Sequence, residues 1–256
     1  MSIEVIDFSQ IKTRYRFALC FFGLTRSLKY TIESIKTNIF TILKKKDIDY
    51  DIYLHTYDKT HITSKRSNEF NVPLDTNEYL LLNPDFFKIT NQDDFFKFFN
   101  FNEVKRYGDS WNTNFENTYN AMAQLNSLKE VTNLWIDQNK YDFYLYLRPD
   151  LLYIDPLPID EILKNITKEN IIFTPDWQLS NNYVNDRFAY GSYDSMIKYG
   201  LRINDLFEYM PKSKKPYNSE LFLNFIIKKY NIHNLKIKTK AKRVRATGKI
   251  HDEKFY

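Results

Sequence analysis

One cysteine in 256 residues is too few for a disulfide framework. Cys20 lies inside the apolar run Phe17 to Leu24, so it reads as a core thiol and fits a reducing cytoplasm. Glycine and proline are scarce, at 5 and 8 residues, which argues against long flexible linkers and low-complexity tracts. The longest apolar run is that same stretch, far too short to cross a bilayer and suited to a buried strand. Met1 to Arg16 mixes acids, bases and polar residues without an apolar stretch, so neither a signal peptide nor secretion is expected. There is no internal repeat, Walker loop, dinucleotide glycine fingerprint or nucleophile elbow. The four histidines, His55, His61, His233 and His251, have no ligand spacing among themselves, which disfavours zinc.

What is abundant is aromatic and aliphatic material. With 20 Tyr, 21 Phe and 43% hydrophobic residues, the chain can pack one large α/β domain. We expect a single domain over 1–256, with an N-terminal extension over 1–15 and a basic C-terminal segment over 231–256. Between Asn231 and His251 stand seven cations and no acid, although the net charge of the whole chain is only +5. A nucleic-acid protein more often spreads its basic excess over a broad face. One basic segment suits a compact polyanion such as a diphosphate; RNA and an anionic membrane surface are the alternatives.

The order of elements predicts a parallel sheet. Arg16 to Gly23 reads as a buried strand. Leu28, Ile32, Ile35, Ile39 and Leu43 then recur at helical spacing, and Asp51 to Tyr57 is a second strand. Strand, helix and strand in this order form a βαβ unit. Residues 58–109 read as loops and short helices. A long helix follows over roughly 117–138, then a strand that breaks at Arg148-Pro149-Asp150. Asn170 to Trp177 is a short strand, Asn185 to Tyr199 runs from strand or loop into a helix, Ser219 to Tyr230 is a helix, and the basic segment from Leu235 reads as a late strand.

Several places carry possible chemistry, each with a plainer alternative. The turn Gly23-Leu24-Thr25-Arg26-Ser27 opens a helix, where free N–H groups and Arg26 suit a phosphate; a helix cap with a solvated arginine is the alternative. Asp150, at a strand end, suits Mg2+ or Mn2+ beside a diphosphate; a turn aspartate paired with Arg148 is the alternative. Asp186 suits a proton acceptor or a sugar-hydroxyl ligand, against an N-cap. Glu220 suits the same role, against a capping glutamate after Asn218 and Ser219. Asn120, Gln124 and Ser127 form a polar helix stripe that faces either a nucleotide or solvent.

Taken in order, "ALCFFGLTRSLKYTIESIKTNIF", "YDIYLHTY", "GDSWNTNFENTYNAMAQLNSLK", "YDFYLYLRPDLLYI" and "NDRFAYG" resemble a group of GT-A-type glycosyltransferase-like proteins of giant DNA viruses. The resemblance spans roughly 14–230. It implies a GT-A-like α/β domain with a mainly parallel sheet flanked by helices and a Rossmann-like nucleotide-binding half. It implies a nucleoside diphosphate sugar at the strand ends and a glycan or glycoprotein acceptor. Arg148-Pro149-Asp150 would stand where such enzymes place an Asp-X-Asp metal motif. The first acid is replaced by Arg148, so Asp150 alone carries over as a ligand, with His251 completing the metal by position. The cofactor-binding set is then Gly23, Thr25, Arg26, Gln124, Ser127, Arg148, Arg243 and Arg245, and the catalytic set is Asp186 and Glu220. The competing readings are a non-catalytic nucleotide- or carbohydrate-binding protein on the same scaffold and, from the basic tail alone, a nucleic-acid binder.

Overall fold

The computed structural model describes residues 14–138, 141–180 and 182–255, leaving aside the side chain of Arg66. Most of the expected N-terminal extension lies outside the described residues. The chain opens with β1 (Arg16–Phe22), whose side chains are buried on both sheet faces after Arg16. Next come α1 (Leu28–Ile35), a π turn (Lys36–Phe40) and α2 (Thr41–Lys45), which together form one run of helix leading to β2 (Asp49–Tyr57). Leu28, Ile32, Ile35, Ile39 and Leu43 all face the core, as their spacing requires.

Residues 58–109 hold more strand than the sequence suggests. They form the hairpin β3 (His61–Ser64) and β4 (Glu69–Pro73), then β5 (Phe86–Thr90), α3 (Gln92–Phe98) and α4 (Phe101–Lys105). β5 was hidden because it is an edge strand that leaves Phe86, Phe87 and Ile89 exposed, so it has no inside–outside alternation to read. The long helix α5 (Glu116–Asn133) leads to β6 (Phe143–Leu147), β7 (Leu151–Tyr153), α6 (Ile159–Lys164), β8 (Ile171–Pro175) and β9 (Ala189–Gly191). Finally come α7 (Tyr193–Gly200), α8 (Leu206–Ser213), α9 (Ser219–Lys229), β10 (His233–Ile237) and β11 (Ala241–Arg243). Among the described residues no helix is long and apolar enough to cross a membrane.

The central sheet has seven strands in the order β10-β8-β9-β6-β1-β2-β5. All run the same way except β9, which is antiparallel to β6 and β8. Alternation along β1 divides the core in two. Ala18, Cys20 and Phe22 pack with α5, α7, α8 and α9, while Phe17, Leu19 and Phe21 pack with α1, α2 and α6. Each fully buried large side chain contributes about 1.5–3 kcal/mol. From β1 the chain crosses to β2 on one side and later returns to β6 on the other. This makes the carboxyl ends of β1 and β6 a topological switch point.

His55, near the end of β2, is fully buried and ties three elements together. Its Nδ1 shares a 2.7 Å hydrogen bond with Ser127 Oγ on α5, and its Nε2 shares one of 3.0 Å with Thr90 Oγ1 on β5. Burial, and then the charge of Lys88, push its pKa down to about 3. A depressed folded-state pKa means that the unfolded chain takes the proton first, so stability is complete above the ordinary value and falls as the pH drops. Between pH 6 and 5 we expect the wild type to lose up to about 1.4 kcal/mol per pH unit more stability in urea than His55→Asn. Identical acid limbs for the two proteins would show that His55 is not held neutral.

Candidate functional site

Three adjacent strands present the site. β1 ends at Phe22, and Gly23 turns the chain with φ of 94°, a left-handed conformation that favours glycine. The Gly23 N–H donates to Ser127 Oγ at 2.7 Å, so the turn rests on α5. β6 ends at Leu147 and is followed by Arg148-Pro149-Asp150. The Pro149 carbonyl accepts from Thr31 Oγ1 on α1 at 2.6 Å. Asp186 and Arg187 lie just before β9, which runs backwards and so begins at this same end of the sheet. The C-terminal segment is stitched beneath. β11 pairs with β7, Val244 N–H donates to the Asp150 carbonyl at 2.9 Å, and Ser27 Oγ donates to the Val244 carbonyl at 2.9 Å.

At the centre is a clamped carboxylate. Arg148 Nε donates to Asp150 Oδ1 at 2.9 Å and Arg148 Nη2 to Oδ2 at 2.8 Å, a forked pair. Arg26 Nη2 reaches the same Oδ2 at 3.1 Å. Burial alone pushes the Asp150 carboxyl up, but Arg148 and then Arg26 outweigh it and hold the group well below the usual carboxylate range. Arg148 Nη1 also donates to Gln124 Oε1 at 3.1 Å, which fixes the polar face of α5 against the turn.

Further cations surround this clamp. Arg243 Nε donates to Glu253 Oε1 at 2.5 Å, and Gln178 Nε2 donates to Glu253 Oε2 at 2.6 Å. Arg187 stands 3.9 Å from Glu253 and 3.8 Å from Asp186. Burial, and then the like charge of Arg187, push the Arg243 pKa down to about 10. Burial, and then Arg26, push Arg245 down. Both guanidiniums remain charged at neutral pH, and the like charges of Arg187 and Arg26 beside them mark a place where an anion is welcome. Of the acids, Asp186 is buried and Glu220 accepts from Ser219 Oγ at 3.0 Å. Burial, and then the Asp186 charge, push the Glu220 carboxyl up.

Gly23, Arg26, Gln124, Arg148, Asp150, Asp186, Arg243 and Arg245 line one cleft of about 210 Å³, and so does Asn120. Four other expected residues do not line it. Thr25 is buried, with its carbonyl accepting the Leu28 N–H, and Ser127 lies beneath the Gly23 turn. Glu220 stands behind Ser219, which does line the cleft. His251 lies beside it, tied by its backbone N–H to the Arg243 carbonyl at 2.8 Å. The reading of the sequence missed Arg202, Trp111 and Tyr217 on the cleft wall and Glu253 behind it. None has a local signature; Arg202, for example, is a single arginine after α7.

Asp150 and His251 do not fit as a pair of metal ligands. Both Asp150 oxygens are already taken by guanidiniums, and Arg243, Arg245 and Arg187 all act on His251 as like charges. Among the described residues, no group of three or more His, Cys, Asp or Glu is placed to hold a metal ion. A divalent cation at Asp150 would have to displace two arginines from a strongly positive site.

No family model matches the sequence, and no curated protein matches it. Solved structures similar to the chain include mouse xyloside xylosyltransferase 1 in its apo form, with 10% identity over 88% of this chain and 85% of that one, at a TM-score of 0.45. Core-mannan synthase A of Aspergillus fumigatus in a Mn/GDP form has 8% identity over 92% and 75%, at 0.46. A Bacillus anthracis protein described as a glucose-1-phosphate thymidylyltransferase, in complex with sucrose, has 12% identity over 90% and 89%, at 0.36.

The clamp reverses one expectation for Asp150. An acid that only held a metal would be replaced by asparagine with little effect on stability. Here the substitution leaves two buried guanidiniums without their counter-charge. We expect Asp150→Asn to cost about 3–5 kcal/mol in guanidinium chloride unfolding. A loss below about 1 kcal/mol would mean that the clamp does not stabilise the fold.

Proposed function

We propose that the protein is a glycosyltransferase that moves a sugar from a nucleoside diphosphate sugar to a hydroxyl of a glycan or a protein. The observation that carries this reading is the surplus of arginine at the switch point of the sheet. Arg26, Arg148, Arg243 and Arg245 line a cleft that Asp186 also lines. Ligands of open α/β sheets bind at such a place, and a diphosphate is the compact polyanion that forked guanidiniums match. In this reading Asn120 and Gln124 on α5 meet the nucleoside or the sugar. Thr25 and Ser127 act indirectly, by shaping the Gly23 turn.

The chemistry follows from that arrangement. As the bond from the anomeric carbon to the diphosphate oxygen breaks, negative charge grows on that oxygen. Arginines already in place stabilise the growing charge more than they stabilise the intact donor. The acceptor hydroxyl forms the new bond to the anomeric carbon, and its proton passes to a carboxylate. Asp186 faces the cleft, and Glu220, whose carboxyl is pushed up by burial and by Asp186, is its neighbour in charge. In this reading the arginines take the place of a metal, since both Asp150 oxygens are already held by guanidiniums.

The saturation of Asp150 by two arginines also favours a second reading, a protein that holds the nucleotide sugar without transferring it. Slow hydrolysis of the donor in the absence of acceptor separates the two: it belongs to a transferase and not to a passive binder. For the nucleotide site itself, Arg26→Ala is expected to weaken uridine or guanosine diphosphate binding at least tenfold in calorimetry, the loss of a charged hydrogen bond at about 1.5–3 kcal/mol. Chelator in the same titration is expected to change nothing. Wild-type affinity in Arg26→Ala would remove Arg26 from the site, and binding that vanishes with chelator would restore a metal.

A further inference from the structure

Among the described residues, Arg202 is a buried charge with two unpartnered nitrogens. It follows α7 in a short turn of helix, is 1% exposed and lines the inner wall of the cleft beside Asp186, Tyr217 and Ser219. Its Nη1 donates to the Tyr199 carbonyl at 2.7 Å, and its guanidinium carbon lies over the Tyr199 ring, 4.2 Å from the centroid. Its Nε and Nη2 are both buried and have no hydrogen-bond partner. These two nitrogens share one edge of the guanidinium, the edge that forks onto both oxygens of a carboxylate. No carboxylate of the described residues lies within ion-pair distance of Arg202. The nearest acid in sequence, Asp205, is already held by Lys229 at 2.7 Å and by the Tyr230 hydroxyl at 3.0 Å.

A buried cation with an empty fork is costly to keep unless a ligand fills it. The charge of the whole cleft points the same way. Arg26, Arg148, Arg187, Arg202, Arg243 and Arg245 line it against Asp150 and Asp186. Glu253, behind the wall, offsets one of these through Arg243. Glu220, beside Asp186 and Arg187, offsets another, and the cleft keeps a positive surplus that an anion matches. The free Nε–Nη2 edge of Arg202 has the fork that matches the two oxygens of a carboxylate.

We propose that the inner end of the cleft receives a carboxylate on the sugar, so that the substrate is a uronic acid or a similarly acidic sugar. The proposal requires the Arg202 side chain to rotate so that its buried Nε–Nη2 edge faces the cleft, where the carboxylate accepts both N–H groups. The neighbouring Asp186 turns away a second carboxylate and leaves sugar hydroxyls as its own partners. This inference rests on the nucleotide-sugar reading above and names the class of sugar within it.

The test is a binding comparison that needs no turnover. Wild-type protein is titrated with uridine diphosphate alone, with its glucose and glucuronate esters, and with the corresponding guanosine diphosphate mannose and mannuronate pair. Methyl glucoside and methyl glucuronide are titrated in parallel with nucleoside diphosphate present and absent. The expected result is that the uronate of a matched pair binds at least about tenfold tighter than the neutral sugar. Preference in the nucleotide-linked pair places the carboxylate on the donor, and preference in the methyl glycosides places it on the acceptor. Arg202→Lys, which keeps the charge and loses the fork, is expected to bring the ratio close to one while nucleoside diphosphate affinity stays as in the wild type. Equal affinity for uronate and neutral sugar in every pair overturns the proposal, and so does a uronate preference that survives in Arg202→Lys. Failure of every nucleoside diphosphate to bind refutes the nucleotide-sugar reading instead, and the methyl glycosides still report on the Arg202 subsite.

Discussion

The clamp of Asp150 between Arg148 and Arg26 is the interaction on which the rest of the site depends. It joins the turn after β1 to the turn after β6, two strands that are neighbours in space and 124 residues apart at the clamped pair. The backbone of the same residue extends the clamp, because the Asp150 carbonyl accepts from Val244 and so draws the C-terminal segment under both turns. Buried ion pairs of this kind are weak sources of net stability, yet breaking one is expensive. The clamp therefore acts as a constraint of position. It holds two guanidiniums of the cleft in one geometry.

Beneath the clamp lies a second layer of constraint. The Gly23 N–H rests on Ser127, Ser127 meets His55, and His55 meets Thr90 on the edge strand. The Gly23 turn is thus fixed from below by hydrogen bonds in the core. The two halves of the core, divided by the alternation along β1, keep the strand ends level. Stiffness of this kind matters to a site built from charges, since preorganised dipoles and cations lose little when charge develops beside them.

The balance of charge gives the cleft its character. Where a pair of acids and a divalent cation would do the work, this chain carries arginines, one of them in the first position of the Arg-Pro-Asp turn. A guanidinium cannot be lost to a chelator and offers directional forks instead of a point charge. The cost is crowding. Arg243 is depressed by burial and by its like-charged neighbour Arg187, while Glu253 and Gln178 hold it in place. Like charges held this close are costly without a counter-charge.

The sequence alone determined the elements whose signals are local. β1 reads as an unbroken apolar run, α1 as a three- and four-residue repeat, and the Gly23 and Arg-Pro-Asp turns by residues that interrupt each pattern. Periodicity is a property of a few consecutive side chains, so it survives without knowledge of the fold. Tertiary structure alone decided the rest. It set β9 against its neighbours, hid β5 at an edge where alternation has no buried face to record, and gave Asp150 two arginines where the sequence suggested a metal. It also brought Arg202 to the cleft, although nothing around it in sequence marks it. Ion pairs and cleft walls are made between residues far apart along the chain, and their energies depend on burial and on distances that no local pattern encodes.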